Sequence, residues 1–309
     1  MIYDVDNTVS LNKFIKNCVD GDIIKLKAGI YKEKVEIYNK NITLIGEDKE
    51  KTIITNNDYY HKILDDFNEC NTFRTYSVYV GGDNVTFKNL TIENSNNKSH
   101  IFGQAVALHV NGNNFTCENC IIRSAQDTLF TGPLPQDLIE RHKGLIIKPE
   151  QLLGTPSKQK YFKCTIIGDV DFIFGCATAL FEECDIISVA RNKVNNKIDG
   201  FICAPSHPKE LEYGYLFYKC NLLCEAGVDN VYLGRPWRDY GAAAFILCNM
   251  DKHINPEGYD PWNANRASTC RFIEYTENAD LNSRKSWINI LTKEKALEYV
   301  EHFYDFLVK

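Results

Sequence analysis

The sequence has no long hydrophobic run, no block of basic residues and no cluster of histidines. No stretch approaches the roughly 18 consecutive apolar residues of a membrane span, so we expect no membrane association. The net charge of −6 and the lack of a Lys/Arg block exclude the basic footprint of a nucleic-acid-binding protein. The seven histidines do not recur at metal-ligand spacing, and we expect neither a metal ion nor a cofactor.

Cysteine is present, but its pattern is not that of a disulfide-rich or zinc protein. The chain has 12 cysteines in 309 residues, which is below the density of small disulfide-stabilised domains. The C-x-x-C formed by Cys117 and Cys120 has no second pair at zinc-ribbon distance. The start, MIYDVDNTVSLNKFIKNC, lacks the basic region and apolar run of a secretory signal. We therefore expect a cytoplasmic protein, with a secreted protein whose signal was removed as the alternative.

Seven short segments of similar pattern recur along the chain. They are NITLIG, KNLTIEN, ENCIIRS, FKCTIIG, EECDIIS, YKCNLLC and ILCNMD. Their alignment places one set of residues at a common position, each followed two residues later by an aliphatic residue or Met: Ile42, Leu90, Cys120, Cys164, Cys184, Cys220 and Cys248. Period-two alternation is typical of a strand with one buried face. A shortest spacing of 20 residues with variable insertions is typical of stacked coils.

The repeat predicts an all-β fold, a parallel β-helix or solenoid, with the aligned cysteines in its core. The alternative is an antiparallel β-sandwich, but few of the Asn-Gly or Asp-Gly hairpin turns that it would need occur. NTVSLNKFIKNC predicts a short N-terminal helical cap over the first coil. LTKEKALEYVEHFYDFLVK, with Thr292 as N-cap, predicts a C-terminal helical tail over about residues 291–309. Residues 1–309 are expected to form a single domain.

Four stretches place polar side chains among apolar ones: GQAVALHV with Gln104, SAQDTLF with Gln126 and Asp127, DVDFIFG with Asp171, and YLGRPWRDY with Arg235 and Trp237. Equivalent positions of successive coils lie about 4.8 Å apart, so these side chains can line one groove. Two acids, two amides and a guanidinium, without a serine or histidine nucleophile motif, indicate a division of roles. One acid attacks or activates water, the other donates a proton, and the amides hold an oxyanion. An arginine keeps the first acid ionised, while an apolar setting raises the pKa of the second.

The sequence resembles the pectin methylesterases, also called pectinesterases. The resemblance covers about residues 20 to 305 and is carried by GIYKEKV, TFRT, GQAVAL, QDTLF, VDFIFG, LGRPW and INPEGYDPW, which occur in the order of the family. It implies a right-handed parallel β-helix that removes methyl esters from the C6 carboxyl of galacturonate units, in pectin or in methylated oligogalacturonides, and releases methanol. The alternatives are a polysaccharide lyase or glycosidase on the same fold, or an inactive pectin-binding solenoid.

The resemblance also implies roles for individual residues. Asp171 would be the nucleophile, Asp127 the general acid and then base, and Arg235 the residue that holds Asp171. Gln104 and Gln126 would form the oxyanion site. The positions at which the family stacks sugar rings would be Phe130, Phe174, Trp237 and Tyr259, a use that suits flat amphipathic side chains.

One departure from the family pattern bears on the substrate. Asp127 and Asp171 are 44 positions apart, more than in the plant enzymes, because TGPLPQDLIERHKGLIIKPEQLLGTPSKQ intervenes. We expect this segment to form a loop at the groove rim.

The remaining expectations concern single residues and the assembly. Asp169 is predicted to be a solvated turn residue, and His109 is predicted to be structural. Trp262 and Trp287 are predicted to lie in the core. We expect a monomer, because solenoids cap their own ends.

Overall fold

The strands of the protein form three parallel sheets, here named A, B and C. The structure is a computed structural model that describes residues 1–141, 144–148, 151–152, 156–191 and 198–309. Neighbouring strands within each sheet come from successive coils, and from Ile23 to Met250 the chain passes from sheet A to B to C in turn. This arrangement confirms the predicted right-handed parallel β-helix.

The strand bounds follow sheet by sheet, for the described residues. Sheet A contains β1 (Ile2–Val5), β2 (Ile23–Leu26), β5 (Thr43–Gly46), β8 (Thr86–Lys88), β11 (Phe115–Glu118), β14 (Lys158–Phe162), β17 (Thr178–Glu182), β20 (Tyr215–Tyr218), β23 (Ala242–Ile246), β25 (Arg271–Tyr275) and β26 (Asn289–Ile290). Sheet B contains β3 (Gly29–Lys32), β6 (Thr52–Asn56), β9 (Thr91–Asn94), β12 (Ile121–Arg123), β15 (Thr165–Gly168), β18 (Asp185–Ser188), β21 (Asn221–Cys224) and β24 (Asn249–Met250). Sheet C contains β4 (Val35–Ile37), β7 (Val78–Val80), β10 (Leu108–Val110), β13 (Leu129–Thr131), β16 (Val170–Gly175), β19 (Gly200–Pro205) and β22 (Val231–Gly234).

The corner between sheets A and B repeats as a two-residue turn. Its first residue has a left-handed backbone, with φ between 50° and 54°, in Asn89, Asn119, Lys163, Glu183, Lys219 and Leu247. Its second residue is buried, in Leu90, Cys120, Cys164, Cys184, Cys220 and Cys248. The predicted cysteine ladder in the core is therefore confirmed. The alignment was wrong for Ile42, which precedes a strand of sheet A, because strands of sheets A and B share the same alternation.

Aromatic rings stack inside the helix along sheet A. Tyr161, Phe181, Phe217 and Phe245 occupy matching positions on successive strands. Their ring centroids lie 4.8, 4.6 and 4.3 Å apart with nearly parallel planes. Because each ring sits on the ring of the previous coil, the stack fixes the register of the coils that also carry the polar residues of sheet C.

Helices lie at both ends of the chain, as the sequence predicts. Helix α1 (Leu11–Lys16) begins after Ser10, whose hydroxyl accepts a hydrogen bond from the backbone N–H of Lys13. It buries Leu11 and Ile15 in the main core.

Helix α4 (Lys293–Val308) has the predicted N-cap Thr292 and buries Ala296, Val300, Phe303 and Leu307. These side chains pack with Leu216 and Ala244 of sheet A. Two shorter helices, α2 (Ser99–Phe102) and α3 (Gln136–Arg141), lie between strands. In the described ranges, no helix combines the length and the apolar character that crossing a membrane requires.

Candidate active site

A pocket of about 380 Å³ lies on the side of the molecule where sheet C faces outward. It brings together seven of the nine residues predicted for the site: Gln104, Gln126, Asp127, Asp171, Phe174, Arg235 and Trp237. They come from four coils of the helix and lie up to 133 positions apart in the sequence. The stacking of coils therefore produces the predicted convergence.

Asp171 lies in a strand that is buried along its whole length, β16. The pairing of β16 with β19 shifts register between Val170 and Ile173, and Asp171 has a φ of 50°. Such an irregularity re-aims a side chain. Phe172 consequently lies in the core, whereas the carboxylate of Asp171 borders the pocket.

Arg235 follows β22 and binds Asp171 through two hydrogen bonds. Its Nε donates to Oδ1 at 2.8 Å and its Nη2 donates to Oδ2 at 2.7 Å. The guanidinium also lies between two rings, 3.9 Å from the Phe201 centroid and 4.1 Å from that of Trp262. A bidentate pair whose guanidinium packs against two rings keeps the orientation of the carboxylate fixed.

Asp127 lies in the turn before β13 and is nearly buried. Its φ is 64°, and its backbone N–H donates to the carbonyl of Val170 at 3.0 Å, which ties it to the coil of Asp171. Burial, and next the negative charge of Asp171, raise the pKa of Asp127 well above its ordinary value, although Arg235 acts in the opposite direction. An acid whose pKa is raised therefore lies beside one that pairs with an arginine.

Gln104 and Gln126 form an isolated parallel bridge between neighbouring coils. Both are half-buried and both border the pocket. An amide group offers two N–H donors. The pair therefore presents neutral donors on the same surface as the two acids, a position from which they can bind a developing oxyanion.

The predicted sugar-stacking residues separate into two groups. Phe174 and Trp237 border the pocket, with ring centroids 5.8 Å apart. Phe130 is fully buried because Phe73, Leu134 and Leu138 pack in the same cluster. A side chain without accessible surface cannot contact a bound sugar, so the prediction for Phe130 is wrong.

Tyr259 is also fully buried, in the main core, with its ring stacked 4.6 Å from that of Phe272. Its predicted contact with a sugar is wrong for the same reason. Trp262 was predicted to be a core residue, but it is 40% exposed and borders the pocket, where its ring covers Arg235. Trp287 packs against the main core, as predicted.

Seven residues of the pocket were not singled out from the sequence: Tyr60, Asn71, Thr72, Phe73, Leu138, Leu145 and Ala204. Phe73 lies in the motif TFRT, which signalled the family but no role. Leu138 and Leu145 belong to the segment between the two acids, so the described part of this segment lies at the groove rim, as predicted. The predicted loop contains helix α3, and residues 142–143, 149–150 and 153–155 lie outside the described residues.

Asp169 is not a solvated turn residue. It is buried, and it accepts hydrogen bonds from the Ser99 hydroxyl and from the backbone N–H of Val170 at 2.6 Å. Burial raises its pKa. It borders a separate cavity of about 870 Å³, whereas Asp171 borders the pocket described above.

Other titratable groups lie outside the pocket. His109 is fully buried in an aromatic environment, and burial lowers its pKa to about 3, which agrees with the predicted structural role. Across the described ranges, one group of residues could hold a metal ion, formed by Cys224, Asp251 and His253. None of the three borders the pocket.

Fold and pocket together define a parallel β-helix protein with an acid pair, an arginine and two glutamines on the outer face of one sheet. The family model for pectinesterase matches residues 7–136 and 150–305. The chain belongs to the pectinesterase family.

Individual relatives agree with this assignment. The chain is 32% identical over 282 residues to a pectinesterase of Petunia integrifolia, covering 86% of this chain and 66% of that protein. The chain spans only 44% to 66% of the length of the first four curated relatives compared.

Solved structures show the same fold. The pectin methylesterase from carrot has a TM-score of 0.76 at 23% identity, over 95% of this chain and 88% of that one. A pectin methylesterase in complex with a hexasaccharide has a TM-score of 0.74 at 23% identity, over 94% and 90%.

Proposed function

We propose that the protein is a pectin methylesterase, which hydrolyses the methyl ester at C6 of galacturonate units and releases methanol. The observation that carries the proposal is that Asp127 and Asp171 lie in opposite electrostatic environments. Burial and a neighbouring charge raise the pKa of Asp127, while Asp171 is held by two hydrogen bonds from Arg235. Opposed environments of this kind assign acid and nucleophile roles within one pair. Membership of the pectinesterase family supplies the ester as the bond attacked.

In the first half-reaction, a carboxylate oxygen of Asp171 attacks the carbonyl carbon of the ester. The carbonyl oxygen becomes an oxyanion, to which the amides of Gln104 and Gln126 donate hydrogen bonds. Asp127, which is protonated at this stage, transfers its proton to the methoxy oxygen as the C–O bond breaks. Methanol leaves, and the galacturonyl group remains bonded to Asp171 as an anhydride.

In the second half-reaction, Asp127 is ionised and accepts a proton from water. The resulting hydroxide equivalent attacks the acyl carbon, and the bond to Asp171 breaks. The products are ionised Asp171, protonated Asp127 and a galacturonic acid group, which releases its remaining proton to the solvent and becomes a carboxylate. Every proton is accounted for, and each step uses groups that border the pocket.

Arg235 would be a positioning residue in this scheme. Because its guanidinium is clamped between Phe201 and Trp262, it presents both donors to Asp171 in a fixed direction. Trp237 and Phe174 would provide apolar surface for the sugar ring next to the reacting ester.

The test is methanol release from methylated pectin and from methylated oligogalacturonides. Asp171→Asn and Asp127→Asn should each lower the rate by several orders of magnitude, about 10⁴-fold for the nucleophile. Asp185→Asn, on a solvent-facing position of sheet B, is the matched control and should retain full activity.

Full activity of either active-site variant would remove that residue from the mechanism. New reducing ends or unsaturated products, without methanol, would instead favour a glycosidase or lyase. Affinity for pectin without any turnover would favour a binding protein.

We propose a cytoplasmic location on the basis of the thiols. All 12 cysteines are unpaired, and the thiol of Cys164 lies beside those of Cys117 and Cys184 within the core. Adjacent thiols persist in a reducing compartment, whereas an oxidising one favours disulfides. Fractionation of the source cells tests this, and recovery of the enzyme outside the cell would contradict it.

We also propose that the protein is a monomer. Helix α1 packs on the first coils, and β26 follows β25 at the far end of sheet A. Sedimentation at micromolar concentration should give a single species of 35.4 kDa, and a dimer would contradict the proposal.

A further inference from the structure

Between Asp127 and Asp171, the chain contains a segment that is not required for the pairing of the strands in successive coils. Residues 132–157, here called the inserted segment, connect β13 of sheet C to β14 of sheet A. β14 nevertheless pairs without a shift with β11 before it and β17 after it, so that Tyr161 lies between Cys117 and Phe181. The segment therefore adds structure outside the coils without altering them.

The inserted segment covers part of the outer face of sheet C. Four side chains occupy matching outward positions on successive strands: Tyr79, His109, Phe130 and Phe174. Leu134 and Leu138 of the inserted segment are buried in the cluster that contains Phe130. The surface that Tyr79, His109 and Phe130 would offer to a sugar chain is thus occupied by the protein itself, and only Phe174 of the four borders the pocket.

Hydrogen bonds fasten the inserted segment to the opposite wall of the pocket. Asn71 Nδ2 donates to the carbonyl of Ile146 at 2.5 Å, and Gln151 Nε2 donates to the carbonyl of Phe73 at 2.8 Å. Asn71 and Phe73 belong to the loop that enters sheet C from its corner with sheet B, whereas the inserted segment leaves sheet C toward sheet A. The two walls consequently meet across the sheet.

Ion pairs hold the inserted segment at two further places. Asp137 accepts from Arg238 Nε at 2.7 Å, next to Trp237. The ammonium of Lys148 pairs with Glu36, at the first strand of sheet C. The segment is therefore anchored from the first coil to the loop that follows Arg235.

The contact between the walls limits the pocket. Leu138 and Leu145 of the inserted segment border it, together with Asn71 and Tyr60 of the opposite loop. A second cavity, of about 640 Å³, lies between the same two elements, and Asn71 and Leu145 border both cavities. The hydrogen bond from Asn71 to Ile146 therefore joins the two walls where the two cavities adjoin.

We infer that the inserted segment makes this protein an esterase of short methylated oligogalacturonides and chain ends rather than of the interior of polymeric pectin. The inference rests on the proposed function. A sugar chain that extends in both directions from the reacting ester would have to displace the contact between the two walls. Loss of its two hydrogen bonds is expected to cost about tenfold or more in rate.

The experiment measures kcat/KM per methyl ester on fully methylated trigalacturonate and on highly methylated polygalacturonan. The wild type should favour the trimer by about tenfold or more. With fully methylated hexagalacturonate, mass spectrometry of the first product should find the free carboxyl near one end of the chain, the same end in every molecule. Equal rates on trimer and polymer, or esters lost evenly along the hexamer, would overturn the inference. Absence of methanol from every substrate would instead refute the proposed function.

Variants locate the cause in the inserted segment. Asn71→Ser combined with Gln151→Met removes both bridging donors, while the serine hydroxyl keeps an acceptor for the backbone N–H of Phe73. This variant should raise the ratio of polymer rate to trimer rate severalfold. Glu118→Gln, which breaks an exposed ion pair with Lys88 on sheet A, is the control and should leave the ratio unchanged. A ratio unchanged in the double variant would contradict the assigned role of the contact.

Discussion

The pair of Arg235 and Asp171 gives a quantitative test of how the site is held together. The Asp171 side chain is 9% exposed and that of Arg235 is 23% exposed, so little water can replace the guanidinium around the carboxylate. Removing one partner of a buried ion pair costs about 3–5 kcal/mol, because the other charge stays behind without compensation. Arg235→Ala should therefore lower the free energy of unfolding by about 4 kcal/mol, part of it from the lost contacts with the rings of Phe201 and Trp262.

Asp171→Ala should cost less, about 2 kcal/mol, because the more exposed guanidinium can gain water. In the double variant the cost of the stranded charge disappears. The coupling energy between the two sites should consequently be at least about 2 kcal/mol. Arg235→Lys should recover only part of the loss, since an ammonium cannot make the bidentate contact.

The assay is urea unfolding at neutral pH followed by far-ultraviolet circular dichroism, with equal m-values as the check that the same transition is compared. The matched control is the cycle of Lys88→Ala and Glu118→Ala, an exposed pair between neighbouring coils, whose coupling should stay below about 1 kcal/mol. Additive effects of the Arg235 and Asp171 variants would refute the reasoning.

Three further predictions concern pH, backbone strain and packing. The free energy of unfolding of the wild type should fall as the pH rises through the raised pKa of Asp127. Melting curves should therefore show Asp127→Asn as the more stable protein at neutral pH, with this advantage absent below about pH 3.9. An equal advantage of the variant at every pH would contradict the prediction. Lys163 has a φ of 51° and follows Asn119 in the corner ladder, so Lys163→Asn should raise the free energy of unfolding by about 0.5–1 kcal/mol in urea titrations, whereas Lys163→Val should lower it. Phe303→Ala should lower the free energy of unfolding by about 3–5 kcal/mol in the same titrations, because the ring is fully buried between α4 and sheet A. Glu301→Ala, exposed on the same helix, should change it by less than about 0.5 kcal/mol.

The coils and most of the pocket could be predicted because both depend on local pattern. Period-two alternation and the recurring cysteine identified the strands, and stacking of coils then brought distant motifs together. The sheet of the strand that follows Ile42 could not be predicted from this pattern, because strands of sheets A and B show the same alternation of buried and partly exposed residues.

The wrong predictions concern side chains whose surroundings are formed by residues far away in the sequence. Phe130 is buried by residues of the inserted segment, and Asp169 is buried beside Ser99, which lies 70 positions earlier. Trp262 is exposed because its ring packs on Arg235 rather than in the core. No pattern within a single strand carries this information.

The undisturbed register on either side of the inserted segment has a consequence for evolution and engineering. Hydrogen bonding in this fold joins each strand to the preceding and following turns of the coil, so the length of a corner connection is free to vary. Corner connections can therefore be replaced by longer or shorter ones. Each replacement would change the length of sugar chain that the pocket accepts, while Asp127 and Asp171 keep their positions.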